Sequence, residues 1–138
     1  MNISLPTHDV TLDGKQFRLV ALPYAHGMSV LAKLMNLVGP ALSKLEGSDL
    51  GAASIIPAVS ELFVRANAND IKYLTDAFFA STEVEREHGY VRLPKIGPAA
   101  TEELFAANHG LVFALLIEHI KLNFQSFLAV VPGINRPG

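Results

Sequence analysis

The chain of 138 residues contains no cysteine, which excludes disulfide bonds, thiolate metal sites and a cysteine nucleophile. Its basic residues are scattered: 11 Lys and Arg stand against 13 Asp and Glu, and the net charge is −2. Because no basic patch forms, we expect neither nucleic acid nor an anionic membrane as a partner. No charge-free apolar run approaches the ~20 residues that span a bilayer, and the N-terminus lacks the pattern of a signal peptide.

The short motifs of known catalytic and binding sites are also missing. The sequence has no GxGxxG or P-loop pattern for phosphate, no HExxH pair for zinc and no GxSxG elbow for a serine hydrolase. His109 and His119 share a predicted helix but lie about three turns apart, too far to chelate one metal. We therefore expect no metal, no cofactor and no catalytic residue, and we predict that the protein is not an enzyme.

Two other interpretations stay open. Catalytic groups can converge without a motif, so a small enzyme or ligand-binding domain with a closed cavity lined by Glu87, His88 or His109 remains an alternative. The charged segment at residues 83–88 could supply such groups, although a solvated loop is the simpler interpretation. His119 is interpreted as a partly exposed helical residue rather than as a proton shuttle or ligand.

The composition favours a folded domain. Half of the residues are hydrophobic and 17% are charged, so the chain can build a sizeable core. The length predicts a single domain over residues 1–138. We expect a soluble intracellular protein that is apolar enough to need a partner.

Residues 8–22 predict a β-hairpin. Hydrophobic residues are spaced by two on each side of Asp13-Gly14, a dipeptide typical of a type I′ turn. An isolated hairpin is marginally stable in water, so this one must pack on helices. A polar loop is predicted at residues 81–89, followed by a short third strand near residues 90–93.

Helical spacing of apolar residues predicts several helices. They span residues 24–46, 50–66, 69–80 and 101–130. Gly39-Pro40 interrupts the first, where proline predicts a kink or a division into two shorter helices. Asn69 or Asp70 is the predicted N-cap of the third. The predicted fold class is α+β and mostly helical, with the N-terminal hairpin packed on a bundle of four to five helices.

The last predicted helix is unusually apolar. Thr101 is its predicted N-cap, and Pro132 and Gly133 are predicted to stop it, which leaves a flexible end at residues 132–138. One stripe of apolar residues is predicted to face the core. It consists of Phe113, Leu116, Ile117, Ile120, Phe124, Phe127 and Leu128.

A second apolar arc on the same helix consists of Leu111, Leu115 and Leu122. The arc borders a polar strip where water is expected, so we predict that these three residues bind a partner or a second copy of the chain. A helix with two apolar stripes can also lie between two parts of its own domain. In that case the arc belongs to the core.

Several short segments follow one another along the chain in an order that is typical of a known family. They are a hairpin leading to Leu22-Pro23, Leu37-Val38-Gly39-Pro40-Ala41-Leu42, Tyr73-Leu74, Phe78-Phe79-Ala80-Ser81-Thr82-Glu83-Val84, Gly89-Tyr90-Val91-Arg92-Leu93, Phe105-Ala106 and Lys121-Leu122-Asn123-Phe124-Gln125-Ser126-Phe127-Leu128. This arrangement resembles the tail assembly chaperones of long-tailed bacteriophages. The terminal Asn-Phe followed by Phe is the most specific part of the resemblance, which covers most of the chain and is weakest at residues 47–66.

The resemblance implies a function. Such chaperones bind the tape measure protein, a long and hydrophobic helical chain, and keep it soluble in the host bacterial cytoplasm until tube subunits polymerise around it. They are not expected in the mature virion. Because a chaperone of this kind exposes apolar surface, we also expect self-association. The resemblance implies a longer, frameshifted form that contacts the tail tube protein; residues 132–138 suit the flexible end of a short form. A structural tail completion or connector protein is the alternative.

Overall fold

The computed structural model describes residues 4–42, 60 and 63–134. Its elements are, in chain order, β1 (Thr7–Leu12), β2 (Lys15–Val20), α1 (Tyr24–Leu42), α2 (Ala68–Phe79), β3 (Thr82–Arg86), β4 (Gly89–Arg92), a 3-10 turn (Leu93–Lys95), α3 (Pro98–Phe105) and α4 (His109–Ile134). These strands form one antiparallel sheet in the order β1-β2-β3-β4. The predicted α+β class and the N-terminal hairpin are confirmed.

The N-terminal hairpin turns where the sequence predicts. Asp13 and Gly14 both have a positive φ, 53° and 71°, as a type I′ turn requires. Val10 lies opposite Phe17 in the register, and both Phe17 and Leu19 are fully buried. Alternate residues of β2 therefore turn one face of the sheet toward the core.

A second hairpin occupies the segment predicted as a loop at residues 81–89. Because β3 pairs with both β2 and β4, the loop prediction is wrong, whereas the strand predicted near residues 90–93 is confirmed as β4. Thr82 and Val84 are buried, and glutamates alternate with them toward the outer face of the sheet. The charged outer residues of a half-buried strand made the whole segment look like a solvated loop.

The first helix is one continuous element, α1, from Tyr24 to Leu42. It continues through Gly39-Pro40, so it is not divided into two shorter helices there. A proline removes one backbone donor and bends a helix without necessarily ending it. Predicted residues 43–46, and most of the helix predicted at 50–66, lie outside the described residues. Of the latter, Ser60 and residues 63–65 are helical.

A capping box starts α2. The side chain of Asn67 accepts a hydrogen bond from the backbone N of Asp70 at 2.8 Å, and Asp70 Oδ2 accepts one from the backbone N of Asn67 at 3.2 Å. The predicted N-cap, Asn69 or Asp70, is therefore wrong. The helix starts earlier because this reciprocal pair satisfies two backbone donors at once.

The single helix predicted at residues 101–130 is two helices. The bend between α3 and α4 is 93°, and it is made by Ala106 in an extended conformation and Ala107 with a φ of 54°. Asn108 holds the corner, because its Nδ2 donates to the carboxylate of Asp13 at 3.0 Å. The break is thus stabilised by a contact with the first hairpin.

The ends of these two helices also differ from the prediction. Gly97 adopts a φ of 94° and turns the chain into Pro98, whose fixed φ suits a first helical turn. Thr101 is therefore not the N-cap; its hydroxyl donates to the carbonyl of Gly97 at 2.8 Å. The predicted stop at Pro132-Gly133 is also wrong, because α4 continues to Ile134.

Two hydrophobic clusters flank α4. The cluster toward α1 and α2 contains Leu22, Val30, Leu34, Leu74, Ala77, Phe78, Leu116, Ile117, Ile120 and Phe124. The cluster between the sheet, α3 and α4 contains Phe17, Leu19, Val84, Leu93, Leu104, Phe105, Leu111 and Leu115. The predicted core stripe is confirmed for its members in the first cluster, and Phe113 packs against them half-buried. Phe127 and Leu128 lie outside the described side chains.

Among the described residues, no single helix is long and apolar enough to cross a membrane. One bent pair, α3 with the first part of α4, meets the length and composition criterion when the two are taken together.

Candidate functional site

The residues predicted to bind a partner lie mostly in the interior. Leu111 is 4% exposed and Leu115 is 0% exposed, and Leu122 packs half-buried against the same cluster. The prediction that this arc faces water is wrong, because the sheet and α3 cover it. Of the two arrangements open to a helix with two apolar stripes, α4 adopts the one between two parts of its own domain. Partner binding by these three leucines stays a prediction that their burial does not support.

His119 is buried at the contact between α4, α2 and β3. Its side chain is 0% exposed, and its ring stacks on Phe78 with the centroids 4.9 Å apart. Nε2 lies 2.6 Å from the hydroxyl of Thr82, which donates its own proton to the Phe78 carbonyl at 2.8 Å. A hydroxyl has only one proton to give, so Nε2 must donate and Nδ1 must be the unprotonated nitrogen.

The burial of His119 decides its chemistry. Desolvation lowers the pKa of the imidazole from 6.5 to about 3, and Nδ1 has no hydrogen-bond partner among the described residues. The predicted partly exposed position is therefore wrong. The sequence could not indicate this burial, because the covering residue, Thr82, belongs to the strand that looked like a loop. A neutral, enclosed imidazole holds three elements together and is not placed to exchange protons with a substrate.

The residues suggested for an enzymatic cavity are not brought together. Glu87 and His88 line an open depression at the turn between β3 and β4, and both are exposed. His109 is exposed at the start of α4. Within the described part of the chain, no group of three or more His, Asp or Glu side chains could hold a metal ion.

A polar groove of about 350 Å³ lies between β1 and α4. His8 Nε2 is 3.5 Å from one carboxylate oxygen of Glu118, and Lys121 Nζ is 3.8 Å from the other. Leu122, the most exposed of the three predicted partner residues, contributes an apolar part of its lining. These side chains tie the edge strand to the long helix, and their mixed charges are compensated by one another.

The outer face of the sheet carries an alternating row of charges. Asp9, Arg18, Glu83 and Arg92 lie side by side on the four successive strands. Arg18 donates to Asp9 at 3.1 Å, and this hydrogen bond raises the pKa of the guanidinium. Glu83 accepts from Arg92 at 3.2 Å and lies 3.9 Å from Arg18. The Arg18 guanidinium also covers the ring of Tyr90, so this face is polar and internally paired.

The exposed large hydrophobic side chains have a different location. They are Tyr24, Met28, Phe63, Val64 and Tyr73, all on helical segments. The most exposed of them on α1 is Tyr24 at 84%, one turn before Met28 at 51%. The described part of the molecule therefore has a charged sheet face and apolar side chains displayed from its helices.

A small apolar groove of about 320 Å³ lies between the end of α2 and α3. Phe79 and Phe105, whose rings stack with centroids 5.0 Å apart, form part of it, together with Leu93, Pro94 and Thr101. Its aromatic walls belong to the segments on which the resemblance rests.

A family model described as phage tail assembly chaperone protein matches residues 13–135. The chain belongs to this family. The match includes the second hairpin and both helices of the bent pair. No curated protein and no solved structure matches the chain. The resemblance drawn from the sequence is thereby confirmed for a chaperone that acts in tail assembly.

The exposed residues of α1 in this tail assembly chaperone were missed by sequence reasoning. The apolar pattern of the sequence pointed to α4, yet the apolar side chains in residues 111–124 of that helix pack on two clusters, one on either side. The available signal was the charge distribution of α1, which has one charged residue, Lys33, over 19 positions. A surface helix with so little charge is a candidate for contact with another protein.

Proposed function

We propose that this tail assembly chaperone is not an enzyme and that it binds the hydrophobic tape measure protein and keeps it soluble in the host cytoplasm. Family membership supports the role in tail assembly. The observation that carries the choice of client is the placement of every exposed large hydrophobic side chain among the described residues on helical segments. Apolar surface on a stable scaffold is what a chaperone for an apolar helical chain needs.

The energetics of the fold are compatible with this role. The two clusters on either side of α4 give the domain a core that does not depend on the exposed residues. The polar, paired face of the sheet gives one side that does not attract apolar chains. Exposed apolar surface also promotes self-association, so we propose that the free chaperone forms oligomers that dissociate or rearrange when the client binds.

Co-expression tests the proposal directly. The tape measure protein from the same phage genome is expressed in bacteria alone, with the chaperone, and with an unrelated soluble protein at a matched level. The expected result is that the client is insoluble by itself and with the unrelated protein, and that it is soluble and co-purifies with the chaperone. A client that stays equally insoluble in all three cultures contradicts the proposed function.

We further propose that the chaperone leaves before the tail is complete. Mass spectrometry of purified virions should therefore detect tape measure and tail tube proteins and not this chain. Its presence at a fixed stoichiometry would instead identify a structural tail component.

An antibody against residues 4–42, used on infected cells, should detect a second and larger band if a longer form that reaches the tail tube protein is made.

A further inference from the structure

One face of α1 is apolar and free of charge, and its first part is exposed. Tyr24, Met28, Leu31 and Met35 recur with helical spacing and form what we name the α1 strip. Tyr24 and Met28 are exposed, whereas Leu31 and Met35 are half-buried and pack at their inner side against the core cluster. The strip therefore runs from solvent at its first turn to the edge of the core at its third.

The opposite flank of α1 carries its charge. Lys33, the one charged residue of this helix, donates to Asp70 of α2 at 3.0 Å, and its ammonium lies 5.7 Å from the ring centre of Tyr73. This hydrogen bond lowers the pKa of the Asp70 carboxyl. Because the charge is already paired on the side that faces α2, a partner on the strip meets no charge that it could neutralise.

The dimensions of the strip decide what can occupy it. From Tyr24 to Met35 it is about 16 Å long, and a helix with its side chains is about 10 Å wide. This footprint is well below the ~800 Å² per partner of a standard protein interface. The strip by itself is therefore too small to hold two copies of the chain in a stable dimer, whereas a weak, transient contact of this size suits one client helix that crosses it.

The chemistry of the strip selects the kind of helix. A charged side chain placed against it would lose water without gaining a partner, so the contacting stripe must be uncharged. Methionine is flexible and polarizable and adapts to apolar residues of different shapes, while tyrosine provides a rigid anchor with a polar tip. Together these residues suit a succession of similar apolar helical segments better than one unique sequence.

We propose that the α1 strip is the surface on which the chaperone holds its client, and that the client segment is an amphipathic helix with an uncharged apolar stripe. This inference rests on the proposed function and assigns it to named residues. Client binding buries Tyr24 and Met28 and leaves the charged face of the sheet in water.

A charge placed on the strip tests the proposal. The double variant Tyr24→Glu, Met28→Glu adds two carboxylates at solvent-exposed positions. The matched control is His26→Glu, which adds a carboxylate to an exposed position of the same helix, about 160° around its axis from Met28. Each is co-expressed with the tape measure protein, and circular dichroism of each purified chaperone is recorded.

We expect the wild type and His26→Glu to keep the client soluble, and the double variant to be folded and to weaken binding by about tenfold or more. If the folded double variant solubilises the client as well as the wild type, the assignment of the α1 strip is wrong and the proposed function stands. If the wild type itself does not solubilise the client, the proposed function fails, and the inference fails with it.

A milder substitution covers the case in which the double variant does not fold. Because the chain has no cysteine, Met28→Cys and His26→Cys each introduce a single thiol. The rate of maleimide labelling is measured for the free chaperone and for its purified complex with the client. The expected result is slow labelling of Met28→Cys in the complex and unchanged labelling of His26→Cys. Equal labelling of Met28→Cys with and without client overturns the proposal.

Discussion

Acidification should destabilise this protein through His119. The imidazole is enclosed, and its pKa falls from 6.5 to about 3 in the folded protein. Between these two values the unfolded chain binds a proton that the native protein does not, so stability decreases as the pH decreases. The contribution is fully present above pH 6.5, is lost progressively below it, and changes no further below about pH 3.

The loss of stability on acidification follows from the width of the pH range between the two pKa values of His119. Each pH unit within it removes about 1.4 kcal/mol, so a change from pH 7 to pH 4.5 should cost about 3 kcal/mol. That is a large part of the 5–15 kcal/mol by which a typical domain is stable. Hydrogen bonds from Lys15 and Lys33 lower the pKa of Asp13 and Asp70, so the stability that these carboxylates provide is lost only below their ordinary value of 3.8.

Urea unfolding followed by circular dichroism at several pH values between 7 and 4.5 measures the effect. His119→Gln keeps an N–H group near Thr82 but cannot take up a proton, so its free energy of unfolding should be lower at pH 7 and should depend less on pH. His109→Gln changes an exposed histidine of the same helix and should keep the wild-type dependence. Identical pH dependence in the wild type and in His119→Gln would refute the assignment of a neutral, buried imidazole.

Three further predictions concern α4. Ile120→Ala and Phe124→Ala should each lower the free energy of unfolding by about 2–5 kcal/mol, because both side chains are buried and leave a cavity; a cost below about 0.5 kcal/mol in urea melts would place them at the surface. Asn123→Ala should cost about 1–3 kcal/mol, because the amide accepts from the backbone N of Leu22 at 2.7 Å and nothing replaces it; thermal melts at pH 7 measure the loss. Leu115→Asp should unfold the protein, because a buried carboxylate without a partner costs several kcal/mol. If it instead stayed folded and failed to bind the client, the predicted partner role of Leu115 would be restored.

Local patterns predicted the N-terminal hairpin well because all of its determinants are close in sequence. The Asp13-Gly14 turn requires two residues that tolerate positive φ, and the flanking residues alternate between core and solvent. The second hairpin has the same alternation but a charged outer face, and its turn at Glu87-His88 carries no comparable signal. Its pairing partner, β2, is more than sixty residues away along the chain, so only the folded sheet reveals why Glu83 and Arg92 face water while Val84 does not.

The corner between α3 and α4 shows a different limit. Ala106 and Ala107 favour a helix, so periodicity alone continues the helix through them. The break depends on Asn108, which reaches across to Asp13 in the first hairpin. An asparagine before His109-Gly110 is a weak sequence signal for the start of a new helix. The hydrogen bond to Asp13 is what fixes the break at this position. Once the corner is in place, α3 covers the arc of Leu111 and Leu115, and this explains why their predicted exposure was wrong.

Over residues 109–126, where its side chains are described, the most apolar helix of this chaperone is therefore not the one that exposes large hydrophobic side chains. This part of α4 is apolar on two sides because it fills the space between the sheet and the helices α1 and α2, and both apolar sides are covered there. α1 is anchored by Val30 and Leu34 on one side, so Tyr24 and Met28 at its start can remain exposed without loss of core packing. A client-binding surface on α1 can then change in sequence with little cost to the fold, whereas the same changes on α4 would unfold the scaffold. The separation of the two roles is the physical reason to look for the client on Tyr24 and Met28.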